Sequence, residues 1–297
     1  MANMNLQGLG IALVTPFNED ESVDYGALLK LVEYQIQNGI DYLVVLGTTA
    51  ETATLTEEEQ SEIVRTVVAQ VRRRIPVVQG VSGNNTNALA KKLKEGNYQG
   101  VDAILSVVPY YNKPSQEGIY RHFKAVAEAA SIPIVLYNVP GRTGMNMTAE
   151  TTLRIAREFE HVIAVKEASG NFTQIDAIIK NKPDHFQVIS GDDSITLPLI
   201  ASGAVGVISV IGNVLPHEFS RLVHLALAGD YENARKIHSS LLELYDLLFV
   251  DGSPAGVKSA LHIRGFIENQ LRLPLVPARI PTCEKIKNAL LTLNQKI

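Results

Sequence analysis

The sequence predicts an α/β fold, a (β/α)8 barrel with a C-terminal helical extension. Three observations lead to it. Eight short apolar runs recur before about Gly229, each followed by polar or glycine-rich residues and then a helical pattern. Several of these runs are rich in Val and Ile and do not alternate with polar residues, as expected of parallel strands covered on both faces. After about Gly229 the runs stop and only helical signals remain.

The runs are Ile11–Val14, Tyr42–Leu46, Pro76–Val78, Ala103–Val108, Pro133–Leu136, Val162–Val165, Phe186–Ile189 and Val205–Val210. Eight strand-then-helix units in this order point to a closed barrel. A doubly wound open sheet is the alternative, but no dinucleotide fingerprint follows the first run. Asp24 can cap the helix carrying Leu28, Leu31 and Val32. Thr56 and Glu59 make a capping box ahead of Ile63, Val64, Val67 and Val68. Arg72-Arg73-Arg74 falls where that helix should end, and cations there complement the macrodipole. Thr148 can cap a later helix, Asp230 starts the first helix of the extension, and Ser253-Pro254 reads as a cap with proline at the first helical position. Two segments are expected: residues 1–228 as the catalytic barrel and 229–297 as a helical domain.

Bulk properties narrow the function. The chain has 297 residues, 46% hydrophobic and 20% charged, enough for the large core of one barrel. A net charge of −4 and a pI near 6.0 leave no electrostatic footprint for nucleic acid. The single cysteine, Cys283, rules out an internal disulfide and suits a reducing compartment. Met1 to Gly10 lacks the cationic start and apolar stretch of a signal peptide, and no run is long and apolar enough to span a bilayer. A cytoplasmic location is expected.

In such barrels the chemistry sits at the C-terminal ends of the strands. Those ends carry Thr15, Gly47-Thr48-Thr49, Gly80-Val81-Ser82, Tyr110-Tyr111-Asn112, Tyr137-Asn138, Lys166, Gly191-Asp192-Asp193 and Ser209. Lys166 closes an apolar run and opens a polar turn. Burial disfavours its ammonium and pulls its pKa toward the range where the free amine is a nucleophile. The plainer account is a lysine stem on apolar surface with its ammonium in water or paired with Glu167. Strand alternation, however, sets Glu167 on the opposite face.

A desolvated lysine among hydroxyl proton carriers is the pattern of Schiff-base catalysis. The amine adds to a ketone and loses water, and the iminium then draws electrons from the neighbouring carbon. Tyr137 can move protons there through its phenol, although a barrel tyrosine with a satisfied hydroxyl fits composition equally well. Backbone amides in Gly47-Thr48-Thr49 could hold a small carboxylate, or the segment is an ordinary strand-to-helix turn. Arg142 follows Tyr137 on a loop, where a bidentate clamp on a second carboxylate and simple solvation both remain open.

Metal and cofactor chemistry find little support. His217-Glu218 lacks a second histidine, and Arg221 stands where it would fall. Asp192-Asp193 could bind a cation or cap the helix near Ser194. No phosphate-cradling loop appears, and no strand end supplies a histidine base for a serine nucleophile. Neither a metal nor a cofactor is expected.

Six motifs carry a resemblance: LGTTAET (Leu46–Thr52), PYYNKPSQEG (Pro109–Gly118), YNVPGRTG (Tyr137–Gly144), VKEASG (Val165–Gly170), SGDD (Ser190–Asp193) and GVISV (Gly206–Val210). With these, the chain from about Leu6 through its tail resembles the dihydrodipicolinate synthase family of pyruvate-dependent class I aldolases, whose superfamily includes N-acetylneuraminate lyase. The resemblance implies a TIM barrel with C-terminal helices, in which Lys166 forms a Schiff base with pyruvate. It implies that Tyr137, Thr48 and Tyr111 form a proton relay, with Tyr111 reaching a neighbouring subunit's site across a tight dimer. Thr49 and Ile208 would contact pyruvate, Arg142 would bind the carboxylate of L-aspartate 4-semialdehyde, and Gly191 would be a further substrate-binding residue. The implied product is 4-hydroxy-2,3,4,5-tetrahydrodipicolinate, on the diaminopimelate route to lysine, and the implied assembly is a homotetramer built as a dimer of dimers.

Two departures from the family pattern involve three positions. Ala50 replaces the usual glycine of the GTTGE motif, which is tolerable only if the position needs no positive φ. Glu57 and Ala88 stand where lysine-sensitive members carry a histidine and a glutamate, so weak or absent inhibition by lysine is expected. Another aldolase, such as an N-acetylneuraminate or keto-deoxy-sugar lyase, would share Lys166 and Tyr137. Arg142 discriminates, because a polyol wants neutral hydrogen-bonding groups. A non-catalytic metabolite-binding barrel is the remaining rival, and it would have no use for Lys166, Tyr137, Thr48 and Tyr111 together.

Overall fold

The computed structural model describes residues 4–294. Residues 1–3 and 295–297, the outer ends of the two expected segments and the first residues of the N-terminus read as lacking a signal peptide, lie outside the described residues. Eight strands close into one parallel barrel in chain order. They are β1 (Gly8–Ala12), β2 (Tyr42–Val45), β3 (Val77–Gly80), β4 (Ala103–Val107), β5 (Ile134–Asn138), β6 (Val162–Glu167), β7 (Gln187–Ser190) and β8 (Gly206–Ser209). β1 starts at Gly8 rather than Ile11, because Gly8 and Gly10 extend the strand without adding an apolar signal. β5 and β6 run on through Tyr137 and Lys166, so both side chains are held by the ladder itself.

Closure joins β1 to β8, with Gly8 opposite Gly206. A Cβ on Gly206 would lie 2.0 Å from the Gly8 carbonyl oxygen, so only glycine permits this approach. β1, β2, β5, β6 and β8 are buried along their whole length on both faces. On β2, Tyr42 and Val44 join the cluster inside the barrel, whereas Leu43 and Val45 join the cluster beneath the helices. That is why the apolar runs do not alternate.

One irregularity decides the site. The β5–β6 register pairs Ile134 with Val162 but Val135 with Ala164, leaving Ile163 as a bulge. Val162 faces the helices, Ile163 and Ala164 both face the barrel interior, and Val165 faces the helices again. The extra residue reverses the in–out phase, so Lys166 points into the barrel mouth and Glu167 outward.

Asp24, Thr56, Thr148 and Asp230 all accept a backbone N–H at a helix start, and the Thr56–Glu59 capping box is complete. Each such cap contributes about 1 kcal/mol. Ser253 does not cap. The helix Ala255–Ile263 starts after Pro254 with no side-chain cap, which corrects the expectation of proline at its first position. The helix Glu57–Val71 ends at Arg72 as expected, while Arg73 and Arg74 reach Asp102 at 3.0 Å and Glu33 at 2.7 Å. The triplet therefore also ties the helix end to its neighbours.

Helices Tyr231–Leu247, Ala255–Ile263 and Ile280–Asn294 pack on the barrel. Leu241, Leu244, Val257 and Leu290 share one core cluster with Leu9, Leu43 and Phe219. Among the described residues, no helix is long and apolar enough to cross a membrane.

Candidate active site

The strands' C-terminal ends open on a cavity of about 520 Å³, whose wall includes Thr48, Thr49, Tyr137, Arg142, Lys166 and Gly191. Lys166 is 5% exposed. Burial lowers its pKa to about 8, Arg142 lowers it further, and the carboxylate of Asp193 opposes them. Tyr137 is its ladder neighbour on β5, and the lysine Nζ lies 4.5 Å from the phenol ring centroid. Burial raises the Tyr137 phenol to about 12, with Arg142 and a hydrogen bond to the Thr48 side chain pulling the other way. At neutral pH the residue thus keeps its proton and can both donate and accept. Gly191 makes room for the amine, since a Cβ there would sit 3.0 Å from the Lys166 Cε and 2.7 Å from the Ala168 Cβ.

Thr48 and Thr49 lie on a 3-10 turn, Thr48–Ala50, directly after β2. The hydroxyl of Thr15 donates to the Ala50 carbonyl at 2.8 Å, and that of Thr52 donates to the Gly47 carbonyl at 2.9 Å. Ala50 has no positive φ, and the left-handed position falls on Glu51 at φ 55. The alanine is therefore tolerated without strain. Arg142 sits on the short helix Pro140–Thr143, exposed at the cavity rim, with its guanidinium 3.4 Å from the Ser253 carbonyl.

Glu167 lies on the far face, buried and held by the Asn138 amide at 3.0 and 3.1 Å and by the Ser169 N–H at 3.0 Å. It does not neutralise Lys166, as strand alternation implied.

Two expected residues stand apart from the cavity wall. Tyr111 is 88% exposed at φ 69, on the loop after β4, and its N–H donates to the Thr143 carbonyl. Ile208 is fully buried in the barrel-interior cluster that also holds Tyr137, Ala12 and Val44. Thr15 and Ser209 serve structure, the latter accepting from the Gly212 N–H at 2.9 Å.

Sequence reasoning missed Asp193. Capping describes only Asp192, which accepts from the Ser194 N–H at 2.9 Å. Asp193 turns inward at 4% exposure, and its Oδ2 accepts from the N–H groups of Val210 and Ile211 at 3.1 and 2.8 Å. Its Oδ1 has no hydrogen-bond partner among the described residues, and burial raises the carboxyl to about 6. Two adjacent aspartates give no local sign of which one turns in. Tyr245, on the helix Tyr231–Leu247, and Phe249 and Val250, in the turn after it, also line the cavity. No group of His, Cys, Asp and Glu among the described residues is arranged to hold a metal ion.

Residues 5–293 match the Dihydrodipicolinate synthetase family. The chain is 71% identical over 296 residues to a 4-hydroxy-tetrahydrodipicolinate synthase of Parabacteroides distasonis, covering 100% of both. It resembles the crystal structure of dihydrodipicolinate synthase from Aquifex aeolicus with a TM-score of 0.94 at 42% identity, covering 97% of this chain and 98% of that one. A structure described as the first monomeric dihydrodipicolinate synthase variant gives a TM-score of 0.94 at 41% identity, covering 97% of each chain.

Proposed function

Since the chain belongs to the dihydrodipicolinate synthetase family, we propose that it is a Schiff-base-forming lyase that condenses pyruvate with L-aspartate 4-semialdehyde. The product is 4-hydroxy-2,3,4,5-tetrahydrodipicolinate, on the diaminopimelate route to lysine. The observation that carries this reading is a buried amine, Lys166, 4.5 Å from the ring of a protonated phenol, Tyr137, at the mouth of a barrel. The 71% identity to the Parabacteroides distasonis synthase favours it over a sugar-acid lyase.

The neutral Lys166 amine attacks C2 of pyruvate. The resulting carbinolamine loses water, with Tyr137 handing a proton to the departing oxygen, and an iminium remains. Loss of a proton from C3 gives the enamine. Its C3 attacks the aldehyde carbon of the semialdehyde, a carbon–carbon bond forms, and the aldehyde oxygen takes a proton to become a hydroxyl. The substrate's own amino group then adds to C2 and displaces the Lys166 amine, which closes the ring and restores the enzyme. One water leaves per turnover, and the imine on Lys166 supplies the activation a cofactor would otherwise provide.

Thr48 relays protons to Tyr137, Thr49 and Gly191 hold pyruvate, and Ile208 backs the cavity floor through the cluster it shares with Tyr137, Ala12 and Val44. Arg142, at the rim, binds the carboxylate of the second substrate through paired N–H groups. Tyr111 faces away from its own cavity and would complete the site of a second copy, so a dimer is the catalytic unit and a pair of dimers the assembly. The protein acts in the cytoplasm, in keeping with its single unpaired cysteine.

Borohydride reduction in the presence of pyruvate, followed by peptide mass mapping, tests the reading. One reduced pyruvyl group on Lys166 is expected. An adduct on any other lysine, or none, overturns the assignment.

A further inference from the structure

The chain buries a second lysine that the reaction does not use. Lys258, on the helix Ala255–Ile263, and Glu51, in the turn after β2, meet at 2.5 Å with both side chains fully buried. They are far apart in the chain but meet behind the turn that carries Thr48 and Thr49. The surroundings hold both groups. Lys258 Nζ donates to the Gln270 carbonyl at 2.9 Å and lies 4.1 Å from the Phe17 ring centroid. The other Glu51 oxygen accepts from the Arg272 N–H at 3.1 Å. Arg272 in turn donates to the Thr54 carbonyl at 2.9 Å and grips Glu59 at 2.6 and 2.7 Å.

Glu51 is the hinge between two 3-10 turns, Thr48–Ala50 and Thr52–Thr54, and takes a left-handed conformation. A non-glycine residue keeps that conformation only where its surroundings over-determine it. A buried ion pair is weak evidence for stability, because apolar residues of similar volume often do as well. What it supplies is one defined geometry. The geometry defined here is that of the turn presenting the Thr48 hydroxyl to Tyr137.

We propose that Lys258 and Glu51 are positioning residues for the aldol reaction, through which the C-terminal helices set the place of the Thr48 hydroxyl relative to the Tyr137 phenol. The inference rests on the lyase reading above. Neither residue touches substrate. Both act through the turn, so their loss slows the proton transfers that Thr48 and Tyr137 carry, while the Lys166 amine itself is untouched and still forms its pyruvyl adduct given time.

The test is a comparison of four proteins: the parent, Thr48→Val, the charge-free pair Glu51→Gln with Lys258→Met, and all three changes combined. In the charge-free pair, pyruvate trapping on Lys166 is expected to persist with KM for pyruvate within about threefold of the parent, while kcat falls about 10- to 100-fold. Adding Thr48→Val to that pair is expected to cost much less than adding it to the parent, since both act through one hydroxyl. Glu51→Asp with Lys258→Arg, which shortens one arm and lengthens the other, is expected to recover most of kcat. Should the charge-free pair fail to fold, this compensated pair decides against Glu51→Asp alone: recovery of kcat supports the proposal, and no recovery overturns it. Parental kcat in a folded charge-free pair, or losses that simply multiply with Thr48→Val, likewise overturns the proposal. A parent that forms no pyruvyl adduct on Lys166 overturns the lyase reading and this inference together.

Discussion

The free-amine fraction of Lys166 is a quantity that pH can read directly. With its pKa lowered to about 8, roughly one molecule in ten carries the neutral amine at pH 7, against about three in ten thousand for an ordinary lysine near 10.5. That is an advantage of about 300-fold in nucleophile concentration. The initial rate of pyruvate capture, quenched with cyanoborohydride and read by mass mapping at Lys166, should rise about tenfold per pH unit up to pH 7.5 and level off by pH 9. Two substitutions should move this limb in opposite directions. The Asp193 carboxylate favours the ammonium, so Asp193→Asn lowers the Lys166 pKa and shifts the limb toward acid. Its amide oxygen can still accept the N–H groups of Val210 and Ile211. Arg142 disfavours the ammonium, so Arg142→Gln shifts the limb toward alkali. A rate still climbing tenfold per unit beyond pH 10, or both substitutions moving the limb the same way, would refute the desolvated-amine argument.

Arg142→Gln should also raise KM for aspartate semialdehyde by about 10- to 100-fold, as loss of a charge-assisted hydrogen bond of about 1.5–3 kcal/mol implies, with KM for pyruvate little changed in steady-state kinetics. Asn138→Ala removes the two amide contacts on the buried Glu167 carboxylate, and urea unfolding should show a loss of about 2–4 kcal/mol. Each molecule that remains folded should still trap pyruvate. Glu57 and Ala88 line one surface groove, and with neither the histidine nor the glutamate of sensitive members, micromolar lysine should leave the rate unchanged. Strong inhibition in that range would contradict this.

The fold was legible because its signals are local. Apolar runs, capping side chains and proline or glycine stops act over a few residues, and each predicted run overlaps a strand, with ends displaced by up to three residues. The errors have equally local causes. Gly8 and Gly10 carry no side chain to mark the start of β1, and Ser253 offered a capping side chain that the chain does not use. The site was legible in part. Lys166, Tyr137, Thr48 and Arg142 stand at or just after strand ends, and a parallel barrel brings those ends to one mouth. Asp193 was read as a cap or a cation ligand because nothing in Asp192-Asp193 distinguishes the residue that turns inward. The contribution of Tyr245 to the cavity wall lies in packing between helix and barrel, which periodicity does not encode.

By itself the sequence determined the number and kind of its units and the chemistry each strand end carries, since hydrophobic period and residue type are properties of short segments. Only the tertiary structure decided which way that chemistry points. Side chains alternate along a strand with a period of two, so one extra residue exchanges inside for outside. The bulge at Ile163 is that residue, invisible in a uniformly apolar run, and it turns Lys166 toward Tyr137 rather than toward the helices. The pairing of Glu51 with Lys258 is of the same kind. Two charges distant in the chain become partners only when closure of the barrel and docking of the last helices remove both from water.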